Sequence, residues 1–207
     1  VLATATTGRH TGISNLALDL GAGVVPFAGG RNALDEAVLT DQDATALRIL
    51  EMYGPELPGL ASPDLLYHAT AKKNYQLVSA LLESGFDPDT FGAAGETALH
   101  LAITTADDTA AKLLLEGGAT PGPLLAHALS QGNATATDLL LEHGADPNAH
   151  LPGNEPPLFV AMRSGNHSLA SRLMQLGADV SLPGREGQGA LATAIAMGDL
   201  SFAQVLL

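Results

Sequence analysis

Leu81-Leu82-Glu83-Ser84-Gly85-Phe86-Asp87 is a phrase that the chain repeats. It returns as Leu114-Leu115-Glu116-Gly117-Gly118-Ala119-Thr120, as Leu140-Leu141-Glu142-His143-Gly144-Ala145-Asp146 and as Leu173-Met174-Gln175-Leu176-Gly177-Ala178-Asp179. Fainter forms, Leu18-Asp19-Leu20-Gly21-Ala22 and Leu50-Glu51-Met52-Tyr53-Gly54, extend the series toward the start. The landmark glycines are Gly21, Gly54, Gly85, Gly118, Gly144 and Gly177, spaced by 33, 31, 33, 26 and 33 residues. A period of about 33 residues implies stacked units, because a unit that short buries its apolar face only against a neighbour.

A second phrase lies upstream of several landmarks. It reads Gly95-Glu96-Thr97-Ala98-Leu99-His100-Leu101-Ala102 in its fullest copy, with partial copies at Gly30-Arg31-Asn32-Ala33-Leu34-Asp35-Glu36-Ala37, Pro157-Leu158-Phe159-Val160-Ala161 and Gly187-Gln188-Gly189-Ala190-Leu191-Ala192-Thr193-Ala194. Together the two phrases resemble the ankyrin repeat, a helix-turn-helix unit opened by Thr-Pro-Leu-His-x-Ala and closed by Leu-Leu-x-x-Gly-Ala-Asp-x-Asn. The resemblance implies an all-α solenoid of about six to seven stacked units with finger loops. One continuous array over 1–207 is expected, with units near 1–21, 22–54, 55–85, 86–118, 119–144, 145–177 and 178–207. The first and last units are expected to be incomplete, which carries the further expectation of repeats or domains of the same chain beyond both ends.

The alignment predicts first helices near 33–40, 63–72, 98–105, 124–131, 157–164 and 190–197, after one near 1–7. Second helices are predicted near 11–20, 44–53, 75–84, 108–117, 134–143, 168–176 and 200–207. Apolar residues recur at helical spacing within them, as in Leu77, Val78, Leu81 and Leu82. All six landmark glycines are expected to end a second helix in the left-handed conformation, which costs a residue with Cβ on the order of 1 kcal/mol. Thr97 stands at an N-cap, and the resemblance puts its hydroxyl and His100 in a network that holds the turn, worth roughly 1 kcal/mol per bond. Other copies carry Asn32 and Asp35, Asp64 and Tyr67, Pro123 and Ala126, Pro156 and Phe159, or Gly189 and Ala192 at those places. The unit 86–118 should therefore be the most regular, its neighbours held mainly by apolar stacking. Two prolines in 54–62 should prevent a normal finger there, and the short interval from Gly118 to Gly144 should replace the finger after Gly118 with the tight run 119–123.

Composition narrows the function. Of 207 residues, 46% are hydrophobic and 4% aromatic, enough apolar surface to fold but suited to close Ala- and Leu-lined packing. No cysteine means no disulfide scaffold, thiolate zinc site or cysteine nucleophile, and an intracellular setting, cytoplasmic or nuclear, is the expectation. A net charge of -13 with scattered Lys and Arg argues against nucleic acid as a partner. The longest stretch without a charged residue, 117–137, is too rich in Gly, Pro and polar residues to cross a membrane.

Nucleotide-binding, zinc-protease and serine-hydrolase motifs are absent from the sequence, so no catalytic residue, metal or cofactor is expected. Aligned on the period, the histidines separate; His68 and His127 share a position two units apart, about 20 Å at the usual spacing of packed helices. Asn133-Ala134-Thr135 and Asn166-His167-Ser168 match a glycosylation pattern but fall at the turn between helices, where Asn is a turn signal. Asp87, Asp146 and Asp179 are read as turn formers bonding nearby backbone N–H groups. Asp35, Glu36, Asp41 and Asp43 form the densest acidic cluster, read as a solvated face or a docking patch for a basic segment. Asn148 resembles a finger asparagine that is hydroxylated in some ankyrin proteins.

The resemblance implies a scaffold that binds a partner protein or peptide on its concave side, with no activity of its own. Carried over by position, the partner-binding residues are Glu36, Phe91, Glu96, Thr104, Thr105, His150, Glu155, Arg163, Ser164, Arg185 and Met197. Phe27, Lys72, Ala93 and Gln131 hold equivalent positions. Phe91 is the expected anchor, a ring in a small, polar loop. The acidic positions Glu36, Glu96 and Glu155 point to a partner with a basic segment. The alternative is a non-catalytic recognition or autoinhibitory arm of a larger enzyme or sensor.

Overall fold

The computed structural model describes residues 2–8, 10–23, 31–57, 61–92, 94–149, 155–184 and 187–207. They form two compact units, 1–120 and 121–207, and the boundary falls in the shortened stretch after Gly118.

In the first unit the helices come in pairs: α1 (Leu2–Thr7) with α2 (Thr11–Asp19), α3 (Ala33–Leu39) with α4 (Asp43–Tyr53), α5 (Leu65–Ala71) with α6 (Tyr75–Glu83), and α7 (Ala98–Thr104) with α8 (Asp108–Glu116). First helices pack in one row, α1 on α3, α3 on α5 and α5 on α7, while α2, α4, α6 and α8 form the second. Between the rows Leu18, Leu34, Ile49, Leu65, Leu77, Leu81, Leu99, Ile103 and Leu114 are completely or almost completely buried. Each such side chain contributes roughly 1.5–3 kcal/mol on leaving water. The second unit repeats the scheme with α9 (Leu124–Gln131) and α10 (Ala134–Glu142), α11 (Pro157–Arg163) and α12 (His167–Gln175), and α13 (Ala190–Ala196) and α14 (Leu200–Val205). Its α11 packs on α9, α12 and α13. Observed helices match the predicted ranges to within one or two residues at either end, the largest difference at a start being α5, which begins at Leu65 instead of 63.

Short-range chemistry sets the turns. Where second helices begin, Asn74, Asp107, Asn133, Asn166 and Asp199 each accept the backbone N–H three residues on. The two glycosylation-like asparagines are thus helix caps. Two residues before α4, α6, α8, α10, α12 and α14 the chain turns through a left-handed residue, a glycine at 132, 165 and 198 but Asp41, Lys73 and Ala106 in the first unit. Asp87, Asp146 and Asp179 each accept the N–H two residues on, at 2.8–2.9 Å, as turn formers should.

Two expectations need correction. Five landmark glycines are left-handed, but Gly54 is not: with φ -39° and ψ -57° it opens the 3-10 turn Gly54–Glu56, and Leu57 then enters the core. Its need is for space, since a Cβ there would lie 2.7 Å from Ser84 Oγ. Asp35 is no part of a solvated face, for it is fully buried. Asn32 and Asp35 make a reciprocal capping box, and Asp35 also accepts the N–H of Ser62 in the next repeat at 2.7 Å. Burial pushes its carboxyl above the usual range against the pull of the Ser62 and Asn32 N–H groups. Polar bonds supplement the apolar stacking between neighbouring repeats: Gln42 Nε2 donates to Thr6 O at 2.7 Å, and Lys72 Nζ to Val38 O at 2.7 Å.

Candidate functional site

The finger of the unit 86–118 starts from the Asp87 turn and closes on an isolated antiparallel bridge between Phe91 and Thr97. Gly92 N–H donates to Glu96 O at 2.8 Å, and Gly95, at φ +75°, turns the chain with its N–H on Gly92 O at 2.9 Å. Successive extended residues face opposite ways, so one of Phe91 and Gly92 must point inward. It is Gly92, buried against the ring of Tyr67, and Phe91 is left 68% exposed instead of folding back on its neighbours. Asp89 ties this finger to the start of the next one by accepting the Thr120 N–H at 2.8 Å. Thr97 then caps α7 by accepting the His100 N–H at 3.2 Å.

In the second unit, Gly184 N–H donates to Gln188 O at 2.8 Å and Gly187 turns at φ +76°. Gly184 lies on the ring of Phe159 as Gly92 lies on Tyr67, and each glycine follows its ring at the same interval along the chain. Beside this finger is a cleft of about 390 Å³, lined by Glu155, Phe159, Arg163, Gly184, Gln188, Thr193, Ala196 and Met197.

These paired helices with glycine-braced fingers have counterparts elsewhere. A family model for ankyrin repeats in three copies matches residues 124–207, and one for ankyrin repeats in many copies matches 65–115. The chain belongs to the ankyrin-repeat family. An ankyrin repeat-containing protein of Treponema pallidum (strain Nichols) is 33% identical over 112 residues, which are 53% of this chain and 38% of that protein. The match thus spans less than half of that relative's length. Among solved structures, the ankyrin repeat domain of Bcl-3, a member of the IkappaB family, is 25% identical with a TM-score of 0.63, covering 93% of this chain and 92% of that one. The ankyrin repeat protein EF0377 shares the fold at 20% identity and a TM-score of 0.60, over 87% of this chain and 98% of its own. Ankyrin repeats are in general non-catalytic protein-protein interaction modules.

The ankyrin array distributes the sequence-predicted site residues unevenly. Glu155, Arg163 and Met197 meet in the second-unit cleft. Glu155 is not an exposed acid, however: it is 5% exposed, with its carboxylate bonded to Arg163 Nη1. Arg163 and Met197 are half exposed, and Ser164, exposed nearby in sequence, bonds back to Ala161 O at 2.9 Å. In the first unit Glu96 is half-buried, and Glu36 faces Arg31 at 3.6 Å with little of its side chain exposed. Thr104 and Thr105 both bond back to Leu101 O, at 3.0 and 2.8 Å. Lys72 belongs to the fold, its ammonium capping the C-terminal end of α3 and pairing with Asp41. His150, Arg185, Phe27 and Ala93 lie outside the described residues.

The other candidates take structural roles. His68 pairs with Asp64 at 3.2 Å, His143 Nδ1 meets Leu139 O at 2.8 Å, and His167 lies on Asp199 and the Phe202 ring. Among the described residues no group of three or more His, Asp or Glu is placed to hold a metal ion, and no helix is long and apolar enough to cross a membrane. The Asn148 amide bridges to the next repeat, donating to Gly177 O at 3.0 Å and accepting the Asp179 N–H at 2.7 Å. Phe159 was missed as a site residue because its place in the motif is that of a capping residue. The signal that marks it is Gly184 in the following finger, placed after Phe159 as Gly92 is after Tyr67.

Proposed function

We propose that this ankyrin array binds a segment of a partner protein on the finger and first-helix face, with Phe91 as an anchor in the first unit. The exposure of Phe91 carries the reading: a ring 68% exposed on a finger held by a bridge, a glycine turn and a packed Tyr67 is presented in advance, so little ordering is needed on binding. Glu96, on the return side of the same finger, supplies an acidic group, and with the net charge of -13 favours a basic stretch in that partner. An intracellular setting belongs to the same proposal and rests on the family resemblance.

The test is capture from native extract on the immobilised chain, compared with Phe91→Ala and Phe91→Ala/Glu96→Lys. Loss of a captured protein by both variants at unchanged melting temperature supports the anchor, whereas capture equal to wild type overturns it. Binding that does not weaken as salt rises would remove the electrostatic part, because exposed charges are screened within about 8–10 Å at physiological ionic strength.

A further inference from the structure

The cleft in the second unit has a charge pattern opposite to that of the chain as a whole. Among the described residues its lining carries two ionisable side chains, Glu155 and Arg163. Glu155 is buried, with 6% of its side chain exposed, whereas 55% of the Arg163 side chain is exposed. The carboxylate therefore stands behind the guanidinium and a ligand meets the cation. One Arg163 nitrogen is bonded to Glu155, and the other N–H groups have no partner among the described residues. A buried carboxylate that holds an arginine at one end restricts its rotamers and leaves the rest of its planar donor set pointed outward.

Apolar surface lies next to those donors. Ala196 and Met197 line the same cleft and are exposed, Met197 by 47%, over the nearly buried ring of Phe159, and Thr193 and Gln188 add polar edges. The remaining acids described in this unit are engaged elsewhere or lie on second helices. Asp146 and Asp179 close their own turns, Asp199 caps α14, Glu142 pairs with Arg172, and Asp138 is on α10. None of them lines the cleft.

From this arrangement we infer that the second-unit cleft is a docking site for a protein segment in which an Asp or Glu stands next to a large apolar residue. The acid takes the outward N–H groups of Arg163, and the apolar side chain enters against Met197 and Ala196. This deepens the protein-binding reading and rests on it, but it reverses the charge expected of the segment at this end. A basic side chain here would meet the guanidinium head-on, with the balancing carboxylate out of reach behind it.

The experiment pans a phage-displayed random linear peptide library against the whole chain and measures synthetic copies of the selected peptides by fluorescence polarisation. Enriched peptides should carry Asp or Glu within two positions of Leu, Ile, Met or Phe. Their affinity should fall about tenfold or more on Arg163→Ala, as loss of a charge-assisted contact predicts. Removing Arg163 strands the buried Glu155, so the second variant is Met197→Glu, at an exposed position. It should repel the same peptides at an unchanged melting temperature, and Met197→Leu should bind them as wild type does. Peptides enriched in Lys or Arg, or acidic peptides indifferent to both Arg163→Ala and Met197→Glu, overturn the inference. If selected peptides are instead lost with Phe91→Ala/Glu96→Lys alone, the docking site proposed here fails while the protein-binding reading stands. Absence of any enriched peptide together with no capture from extract defeats both.

Discussion

The ring of Tyr67 lies so close beneath Gly92 that a Cβ on residue 92 would collide with Tyr67 Cγ. Phe159 and Gly184 repeat the relationship, with the nearest ring atom at 2.7 Å. In both places an aromatic ring replaces the histidine of the ankyrin opening motif and supports the following finger from below. Gly92→Ala should therefore destabilise the first unit by about 1–3 kcal/mol, the cost of overpacking. Tyr67→Ala in the same chain should relieve the clash, so the double variant should lose much less stability than the sum of the two single losses in a chemical-denaturation cycle. Additive losses would show that ring and glycine do not press on each other.

Asp35 joins two repeats through two backbone donors, Asn32 N–H and Ser62 N–H, both at 2.7 Å. Asp35→Ala should cost on the order of 1–3 kcal/mol for each donor left without an acceptor. Asp35→Asn retains one acceptor oxygen and should lie between wild type and alanine. Because burial raises the folded pKa of Asp35, its proton linkage favours the folded state at low pH and that contribution is lost as pH rises through the folded value. The gap between Asp35→Asn and wild type should accordingly widen toward acid pH and narrow toward neutral pH, measured by urea unfolding. A gap that shrinks in acid would contradict the assignment.

Two landmark glycines serve different ends and should respond differently to alanine. Gly144 has φ +89° with open space around a Cβ, so Gly144→Ala should cost roughly 1 kcal/mol from backbone strain alone. Gly54 has ordinary right-handed angles but faces Ser84 Oγ. Adding Ser84→Ala should restore part of the stability lost in Gly54→Ala and none of that lost in Gly144→Ala, as read from melting temperatures.

Acid should weaken the last repeats through two carboxylates. The Phe202 N–H and then the Ser201 hydroxyl hold Asp199 below its usual pKa, and the Ser181 hydroxyl and N–H do so for Asp179. A depressed folded pKa stabilises the fold above the unfolded value, about 3.9 for Asp, and that contribution is lost as pH falls through the folded value. Melting temperature should decline below about pH 4, less steeply in Asp199→Asn, which keeps a cap oxygen but cannot titrate. An unchanged slope would remove Asp199 from the account.

The helix pairs, the Asp turns at 87, 146 and 179 and the cap at Thr97 were legible because each rests on contacts within a few residues, which recur wherever the motif recurs. Phe91, Arg163 and Met197 were legible as exposed positions for the same reason: place within the repeat decides which way a side chain faces. What the linear text concealed lies across the stack. Whether Asp35 faces water depends on Ser62, whether Gly54 needs to be small depends on Ser84, and whether Glu155 is a surface acid or a buried counter-ion depends on the packing that buries it behind Arg163. Phe159 reads as an imperfect cap until Gly184 comes to rest on it. All of these partners lie beyond the reach of a single helical turn. The period establishes that neighbouring repeats stack, and side-chain packing between them sets which polar groups lose their water and which remain available to a ligand.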